Sequence, residues 1–576
     1  MPAFTMIVLV ILLVIAAALL VFVGWQLSQK INGATQSELW LLALALFLGV
    51  MLIRDRVKGV TLSPGLKHWD WLWISALFVT FLVIGSYQLD RIPNSLAGDE
   101  GIFWSEAYTL RQNHFDGSFF DLGAYETYPL ASSLYQAVFL QMFGDTLWAW
   151  RFSSVFAAAL ALIPAYLFAR EAFNRRIAIT ACILMLVLPY FLSFARLGYN
   201  NSQAIFPVAL CLYLLYAGLK RGSIFYTAMS GLVGGLGFYT YFAAWLGPVI
   251  GIVFLGIQAV SALVQRGSAG ATENTRFETL VYFAKRIAIF VTMLVATMAP
   301  YIIYTQATSP GGDANAKFVE TLLPNTYYAG RLFSEAELFR DHPVIEIDKV
   351  SLFIRPDLYL RLLVRGMIRT ILAFHDNHLI EDHYLTSALP GPISVLFYTL
   401  GLIAALKQGF RQPSGLLLLW LSGGILLLSV FNTFPPRDAH LVVIIPVIAI
   451  LGAIGLNIMA DFVTSFKWTG RVSSMFLPAA LTLIAMTGLY HYFVLSPLEY
   501  KPNAENIMAF DAIDDDSQQI YLYIVMKTEQ SDFIPWMFRN MPNRAIFHTI
   551  QYDALANGQF ILDPGKDYTI YFLPED

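Results

Sequence analysis

The feature that most constrains this chain is a series of apolar runs, each long enough to cross a lipid bilayer. An α-helix rises 1.5 Å per residue, so about 20 apolar residues span the hydrocarbon core. We predict 13 spans, at residues 4–24, 39–53, 70–88, 148–169, 177–194, 203–219, 223–240, 243–264, 287–304, 391–407, 414–431, 441–460 and 474–494. Only 13% of the residues are charged, against about 25% in soluble domains. The sequence therefore predicts a polytopic α-helical membrane protein.

The apolar segment 129–144 is ambiguous, and loop charge decides how we interpret it. Arg and Lys favour the cytoplasmic side of short loops. If 129–144 does not cross and the N-terminus is inside, the inside loops collect most of the short-loop cations. These are Arg54, Arg56, Lys58, Lys67, Arg170, Arg175, Arg176, Lys220, Arg221, Arg266, Arg276, Lys285, Arg286, Lys407, Arg411, Lys467 and Arg471. A crossing would invert every later loop, so we predict an amphipathic helix lying along the outer interface.

This topology divides the chain into three parts. Residues 1–69 add two N-terminal spans, 70–495 form a membrane domain with outer loops 89–147 and 305–390, and 496–576 form a small α/β domain. In that last part, alternation predicts strands at 519–526, 544–550, 559–562 and 568–573, and a helix at 531–540. The protein is expected in a plasma (inner) membrane, with its site and C-terminal domain outside the cytoplasm. No basic block typical of nucleic-acid binding is present.

The first outer loop carries a carboxylate pair, Asp99-Glu100, at the expected membrane–water boundary. A carboxylate there can serve as a general base that removes a proton from a hydroxyl. A structural alternative is that Asp99 caps the helix predicted for 101–112, because Asp is favoured at that position. The two interpretations are compatible. Further candidates for a substrate cavity are Tyr108, Asp121, Glu126, Tyr128, Tyr199 and Asn200.

Basic residues recur at the predicted outer ends of spans. Arg196 ends one span, Arg437 and His440 precede another, and Arg361, Arg365 and Arg369 form a stripe on a helix predicted for 357–374. Arginine can bind a phosphate through two parallel hydrogen bonds. The alternative is that these side chains reach to lipid headgroups at the interface.

Two more groups have open interpretations. His375, Asp376, His378, Asp382 and His383 could hold Zn²⁺ or Mn²⁺, could line the site without metal, or could lie in a solvated loop. No cofactor is predicted with certainty. Tyr239 and Tyr241 are explained either by an aromatic belt or by a lipid–sugar cavity. The two cysteines, Cys182 and Cys211, fall in apolar runs and are interpreted as packing residues.

The order of these motifs resembles that of a known family. Asp99-Glu100 is followed by Tyr128-Pro129-Leu130, by Arg151 with Ser153, by Phe194-Ala195-Arg196 and by Pro435-Pro436-Arg437. This order is similar to that of the C-superfamily (GT-C) membrane glycosyltransferases, in particular the family-39 and aminoarabinose-transferase group, which includes the protein O-mannosyltransferases. The resemblance covers about 70–460 and is strongest in 95–245. The chain departs from the family in Thr127-Tyr128-Pro129-Leu130, which lacks the His and one Pro of the family's His-Pro-Pro-Leu type motif, in lacking an inserted lectin-like domain, and in its two extra N-terminal spans.

The resemblance implies a GT-C-type fold with juxtamembrane helices and a glycosyltransferase that uses a polyprenyl- or dolichyl-phosphate-linked sugar. It also implies that Asp99 is the base of an inverting transfer to a protein, lipid or glycan hydroxyl, and that outer basic residues bind the lipid phosphate. Two rivals stay open at this stage, a transporter or flippase of lipid-linked sugars and a non-catalytic scaffold. A transporter is expected to place ionisable residues near the middle of its spans, whereas the acidic pair here lies at a boundary.

Overall fold

The computed structural model describes residues 3–97, 99–115, 118–124, 128–268, 273–308, 356–375, 383–410, 413–431, 435–465, 470–502, 510, 520–525, 546–551, 557 and 568–572. The first twelve helices are α1 (Ala3–Ser28), α2 (Ala34–Val57), α3 (His68–Ser86), α4 (Glu100–Gln112), α5 (Leu130–Phe143), α6 (Leu147–Ala172), α7 (Arg175–Val187), α8 (Pro189–Arg196), α9 (Asn201–Arg221), α10 (Ile224–Gly237), α11 (Leu246–Ser268) and α12 (Glu273–Thr308). A 3₁₀ turn, Phe242–Trp245, precedes α11.

The remaining helices are α13 (Pro356–Leu372), α14 (Ser394–Gln408), α15 (Ser414–Ile425), α16 (Asp438–Leu441), α17 (Ile445–Ser465), α18 (Gly470–Tyr490) and α19 (Ser496–Glu499). Short π-helical segments, Leu426–Val430 and His491–Leu495, extend α15 and α18. A 3₁₀ turn, Val442–Ile444, joins α16 to α17.

The helices confirm a polytopic membrane protein. Within the described residues, 9 helices are long and apolar enough to cross a bilayer, or 10 if the bent pair α7–α8 counts as one span. Three more predicted spans correspond to the shorter apolar helices α10, α14 and α15. The total of 13 spans and the orientation of the chain stay predictions.

One predicted span is corrected by the structure. The run 177–194 does not form one straight helix, because α7 ends at Val187 and α8 begins at Pro189 with a bend of 60°. Proline has no backbone N–H and its ring clashes with the preceding turn, so a helix bends or breaks there. In α8, Tyr190 donates to the Asp438 carbonyl and Ser193 donates to the His383 carbonyl, so this short helix contacts two segments that carry candidate residues.

Helix α5 takes the place of the ambiguous segment 129–144. It has 14 residues, which at 1.5 Å each give about 21 Å, less than the hydrocarbon thickness of a bilayer. Its length agrees with a helix that does not cross. Its predicted position along the outer interface stays a prediction.

Polar contacts define the two ends of the helix bundle. At one end Asp70 of α3 bonds to Arg175 at 2.7 Å and Arg170 lies 3.1 Å from the same carboxylate, while Asp55 of α2 accepts from Ser223 at 2.7 Å. We call this the basic end. The opposite end, which we call the site end, brings together the loop before α4, Gly198 and the segment before α17.

The α1–α2 hairpin packs on the outside of the bundle. Its α1 buries a narrow seam of Leu9, Ala16, Val23 and Leu27, and exposes most other positions. Trp40 of α2 is buried and donates from its indole to the carbonyl of Ala296 in α12 at 3.0 Å. The hairpin is therefore attached to α12 at the site end.

The C-terminal region contains a parallel sheet. Strands β1 (Ile520–Val525), β2 (Ile546–Gln551) and β3 (Tyr568–Phe572) are ordered β2-β1-β3, with Ile520 paired with both Ile546 and Tyr568. Three of the four predicted strands are thus confirmed. The strand predicted for 559–562 and the helix predicted for 531–540 lie outside the described residues, and the α/β domain as a unit stays a prediction.

Candidate active site

The two adjacent acidic residues of the first outer loop lie in different surroundings. The Glu100 side chain is fully buried and accepts from Arg151 Nε at 2.9 Å and Nη2 at 3.2 Å. It also accepts from the backbone N–H groups of Ala97 at 3.0 Å and Gly198 at 2.7 Å. Four donors therefore satisfy a carboxylate that would be costly to bury alone.

Arg151 uses its remaining donors to fold the loop before α4. Its Nη1 donates to the carbonyls of Leu89 at 3.3 Å and Pro93 at 2.8 Å, and its Nη2 donates to that of Ser95 at 2.8 Å. Glu100, Arg151 and these carbonyls form a unit that we call the anchor. The anchor fixes the loop that leads to Asp99.

Gly198 belongs to the anchor because only glycine fits there. A Cβ on Gly198 would lie 2.4 Å from the Trp150 ring, well inside van der Waals contact. The carbonyl of the same residue accepts from Gln136 of α5 at 2.8 Å. One glycine thus ties α4, α5 and α6 to the turn before α9.

Asp99 lies next to the anchor and is only partly buried. It precedes α4, but its side chain makes no capping hydrogen bond, and Glu100 bonds to Ala97 instead. Its backbone N–H donates to the phenol of Tyr199. The structure therefore does not support the interpretation of Asp99 as a helix cap.

Two stacked tyrosines lie within electrostatic reach of both Asp99 and Arg437. Tyr128 and Tyr241 have ring centroids 6.1 Å apart and an interplanar angle of 9°. Burial raises the pKa of the Tyr128 phenol, the Asp99 carboxylate raises it further, and Arg437 lowers it. Burial likewise raises the pKa of the Tyr241 phenol. Tyr128, Asp99 and Asp438 raise this pKa further, and Arg437 lowers it. Asp99 and Arg437 thus influence both phenols, and we call Asp99, Tyr128, Tyr241 and Arg437 the cluster.

His440 and His383 border the cluster. The His440 ring lies 6.1 Å from that of Tyr241. His383 packs between Phe194 at 5.2 Å and Tyr199 at 5.3 Å, and its Nδ1 lies 3.0 Å from the buried Asp438 carboxylate. The pair joins the segment before α14 to the segment before α17.

Arg196 lies outside the cluster. Its side chain is fully buried and donates to four carbonyls, of which Gly85 at 2.7 Å and Ile92 at 2.8 Å are the nearest. It also lies over the Phe493 ring at 4.9 Å. These contacts fix the end of α3 and account for Arg196 without a phosphate ligand.

Helix α13 lies against the turn that carries Arg437. A Cβ on Gly366 would lie 3.0 Å from the carbonyl of Val430. Thr370 bonds to Ser429 at 2.7 Å, and Ser429 accepts from the Arg437 N–H at 3.2 Å. The arginine stripe follows the edge of this contact, with Arg361 exposed and Arg365 and Arg369 half-buried.

The remaining predicted cavity residues do not belong to the cluster. Tyr108 stacks on Trp104 at 5.8 Å, and Asn200 donates to the Thr240 carbonyl at 3.3 Å. Asp121 and Tyr239 contact the α1–α2 hairpin. Glu126 lies outside the described residues.

Only part of the predicted metal cluster falls within the described residues. His375 and His383 are described, whereas Asp376, His378 and Asp382 are not. Among the described residues, no group of three or more His, Cys, Asp or Glu side chains has the arrangement of a metal site. His383 pairs with Asp438 instead.

The sequence points to Arg151 only as part of a motif and predicts no role for Asp438. A signal for Arg151 existed, because an arginine inside an apolar span is costly and needs a buried partner. Asp438 had no comparable signal. Its partner His383 is 55 residues away in the chain.

Part of the chain is similar to known glycosyltransferase sequences. Residues 127–267 match the family described as dolichyl-phosphate-mannose-protein mannosyltransferase. Undecaprenyl phosphate-alpha-4-amino-4-deoxy-L-arabinose arabinosyl transferase of Pseudomonas paraeruginosa is 36% identical over 129 residues, which are 21% of this chain and 23% of that relative. The same enzyme of Pseudomonas aeruginosa matches with equal identity and coverage. The match spans less than a quarter of these relatives, and over this segment the resemblance stated from the sequence is confirmed.

Two solved structures are also similar to the chain. ArnT from Cupriavidus metallidurans bound to undecaprenyl phosphate has a TM-score of 0.45 and 13% identity, covering 85% of this chain and 90% of that one. Archaeal oligosaccharyltransferase AglB from Archaeoglobus fulgidus, in complex with an inhibitory peptide and a dolichol-phosphate, has a TM-score of 0.47 and 16% identity, covering 84% and 65%.

Proposed function

We propose that this protein is a membrane glycosyltransferase that transfers a monosaccharide from a polyprenyl phosphate to an acceptor hydroxyl at the outer membrane face. The single observation that supports it best is the cluster, in which Asp99 and Arg437 act on the same stacked pair, Tyr128 and Tyr241. A carboxylate base and a phosphate-binding cation near one aromatic surface are suited to direct transfer from a lipid phosphate. The acceptor is a protein, lipid or glycan.

Asp99 is the proposed base. Its carboxylate is partly exposed, while its backbone is held by Tyr199 and by the anchor. A carboxylate at this position can take the acceptor proton as the new glycosidic bond forms, and the lipid phosphate leaves from the opposite face of the sugar. Glu100 is assigned to positioning because its four donors leave no place for a substrate proton.

Arg437 is the proposed partner of the leaving phosphate. The lipid phosphate gains negative charge as the sugar leaves, and a fixed cation stabilises that charge. Arg365 and Arg369 are the proposed supporting cations, because Gly366 and Thr370 seat their helix against the Arg437 turn. The Arg369 Nε atom is buried and has no hydrogen-bond partner among the described residues, which fits a group that binds an anion.

Donor consumption tests the proposal directly. Purified protein in detergent receives radiolabelled polyprenyl-phosphate mannose, glucose or aminoarabinose with a membrane extract as the source of acceptors, with and without a chelator. We expect loss of one labelled donor with wild type, and the labelled product identifies the acceptor class. Chelator sensitivity would indicate a divalent metal.

Matched variants give the control for this assay. Asp99→Asn removes the proposed base, whereas Asp90→Asn changes a 47% exposed carboxylate of the same loop. Turnover by wild type and Asp90→Asn but not by Asp99→Asn supports the proposal. Turnover by Asp99→Asn at the wild-type rate contradicts the assignment of the base, and absence of turnover with every donor contradicts the function.

A further inference from the structure

The two helices at the N-terminus form contacts that the proposed reaction does not explain. The turn between α1 and α2 carries Asn32, whose Nδ2 donates to Asp121 Oδ1 at 2.8 Å. The Oδ1 of Asn32 accepts from the hydroxyl of Ser118. One amide thus uses its donor and its acceptor on the loop between α4 and α5.

The loop that Asn32 contacts is the one that carries Tyr128. The Asp121 carboxylate accepts from the Ser118 N–H at 2.6 Å, and the Asp121 carbonyl accepts from the Leu130 N–H at 2.9 Å. Leu122 and Pro129 form an antiparallel bridge, and the Gly123 N–H donates to the Tyr128 carbonyl at 2.7 Å. The position of Asp121 therefore fixes the backbone on both sides of the bridge and, with it, Tyr128.

A second contact of the hairpin leads to the other tyrosine of the cluster. The Trp40 ring of α2 packs on three aromatic rings. Its centroid lies 5.6 Å from that of Phe119, 5.4 Å from that of Phe120 and 5.8 Å from that of Tyr239. The phenol of Tyr239 donates to the Thr297 carbonyl of α12 at 2.9 Å, next to the carbonyl that Trp40 itself bonds. Tyr239 is two residues from Tyr241, so the hairpin touches both sequence segments that form the stack.

We propose that the α1–α2 hairpin is a positioning element of the site, in which Asn32 holds the Asp121 loop and thereby holds Tyr128 on Tyr241. The contacts of Asn32 and Trp40 reach the cluster through Asp121 and Tyr239, so Asn32 acts as a positioning residue. Its effect on transfer rests on the proposed function. Its effect on the loop does not, because that effect follows from hydrogen bonds within the chain.

Amide hydrogen exchange tests the hold on the loop without an activity assay. Loss of a hydrogen bond that closes a loop raises the population of its open form. In Asn32→Ala we expect exchange of peptides covering Gly123, Tyr128 and Leu130 to be about tenfold faster than in wild type. Gln29→Ala changes an exposed residue of the same turn, and should leave that exchange as it is. Equal exchange in Asn32→Ala and wild type would overturn the proposal.

Swapping the side chains of residues 32 and 121 distinguishes the loss of this hydrogen bond from general destabilisation of the loop. Asn32→Asp alone places a second carboxylate beside Asp121, and should open the loop at least as much as Asn32→Ala. Combining it with Asp121→Asn restores one donor facing one acceptor, and keeps acceptors for Ser118. We expect the double variant to return loop exchange to within about threefold of wild type. The proposed role would be contradicted if the loop of the double variant exchanged as fast as expected from adding the effects of the two single variants.

Transfer kinetics then test whether the loop position matters for the site. We expect Asn32→Ala to lower kcat about tenfold with less than about a twofold change in KM for the lipid donor, because Arg437 is untouched. The paired double variant should recover kcat. Faster loop exchange with unchanged kcat would overturn the positioning role. If wild type transfers no sugar, the proposed function fails, whereas the exchange comparison still decides whether Asn32 holds the loop.

Discussion

The anchor and the cluster begin at adjacent residues and are built in opposite ways. In the anchor, Glu100 and Arg151 both have 0% exposed side chains, and every donor of Arg151 has an acceptor. In the cluster, Asp99 and Arg437 are partly exposed and lie near a pair of stacked phenols. The adjacent Asp-Glu pair is thus divided into one fully buried residue that holds the chain and one partly exposed residue, which we propose as the base.

The basic end shows that a buried acid with arginine partners is structural elsewhere in this protein too. Asp70 is fully buried and accepts from Arg175 and from Tyr166 at 2.8 Å, while Arg170 lies 3.1 Å away. These residues join α3, α6 and α7. The anchor resembles this arrangement more closely than it resembles the cluster one residue away.

The largest effect is expected from Asp99→Asn, which removes the proposed base and leaves the anchor intact. Loss of a general base lowers rates by about 10²- to 10⁴-fold, so kcat should fall in that range. The thermal unfolding temperature should stay within about 2 °C of wild type, because surface changes outside packed regions cost little. A variant that loses activity only because it unfolds would remove the distinction between the cluster and the anchor.

The converse change is Glu100→Gln, which breaks the anchor. It leaves Arg151 as a buried cation without its partner, a loss that costs about 3–5 kcal/mol of folding stability. We expect a large drop in unfolding temperature and in folded yield, measured by fluorescence-detected size exclusion after graded heating. A stable but inactive Glu100→Gln would contradict the division of roles and return Glu100 to the list of candidate bases.

The sequence predicts the helices better than it predicts this division. Apolar runs of span length identify the membrane helices because the bilayer requires internally bonded backbone over a fixed thickness. They do not locate the break at Leu188, since the run 177–194 stays apolar across it. Three strands of the C-terminal sheet also follow from alternation.

The roles of Asp99 and Glu100 could not be separated from sequence, because the difference comes from distant partners. Arg151 and Gly198 are 51 and 98 residues from Glu100. Arg196 shows the same problem, since an arginine at a span end fits a phosphate contact until its carbonyl partners in α3 and the following loop are known. The family match begins at residue 127, so the assignment of Asp99 depends on the cluster and on the motif order.

A smaller effect is expected from Arg437→Lys, which keeps the positive charge but cannot form the bidentate hydrogen bonds of a guanidinium group to a phosphate. Hydrogen bonds to charged groups contribute about 1.5–3 kcal/mol, so losing one in the transition state should lower kcat about 10- to 100-fold. Arg91→Lys, at a 78% exposed position in the loop before α4, should change kcat by less than about twofold. Equal rates for Arg437→Lys and wild type would place the leaving phosphate elsewhere.

The smallest effect concerns Glu106, the second carboxylate on α4, which lacks the partners of Glu100. Burial raises the pKa of Glu106, so the folded protein holds its proton more tightly than the unfolded chain does. The stability gained from this proton is fully present below the unfolded pKa of about 4.3 and is lost as pH rises through the folded pKa. Glu106→Gln removes that dependence, so the variant should unfold at a higher temperature than wild type at pH 8.

Unfolding temperatures measured between pH 4 and pH 8 test this expectation. The difference between Glu106→Gln and wild type should grow as pH rises, because only wild type acquires a half-buried charge. Glu38→Gln, at an exposed position of α2, serves as the control and should show no such trend. If the difference in unfolding temperature between Glu106→Gln and wild type were the same at every pH, burial without strong donors would not destabilise an ionised carboxylate on α4. The contrast between Glu100 and its neighbours would then depend on Arg151 alone rather than on burial and donors together.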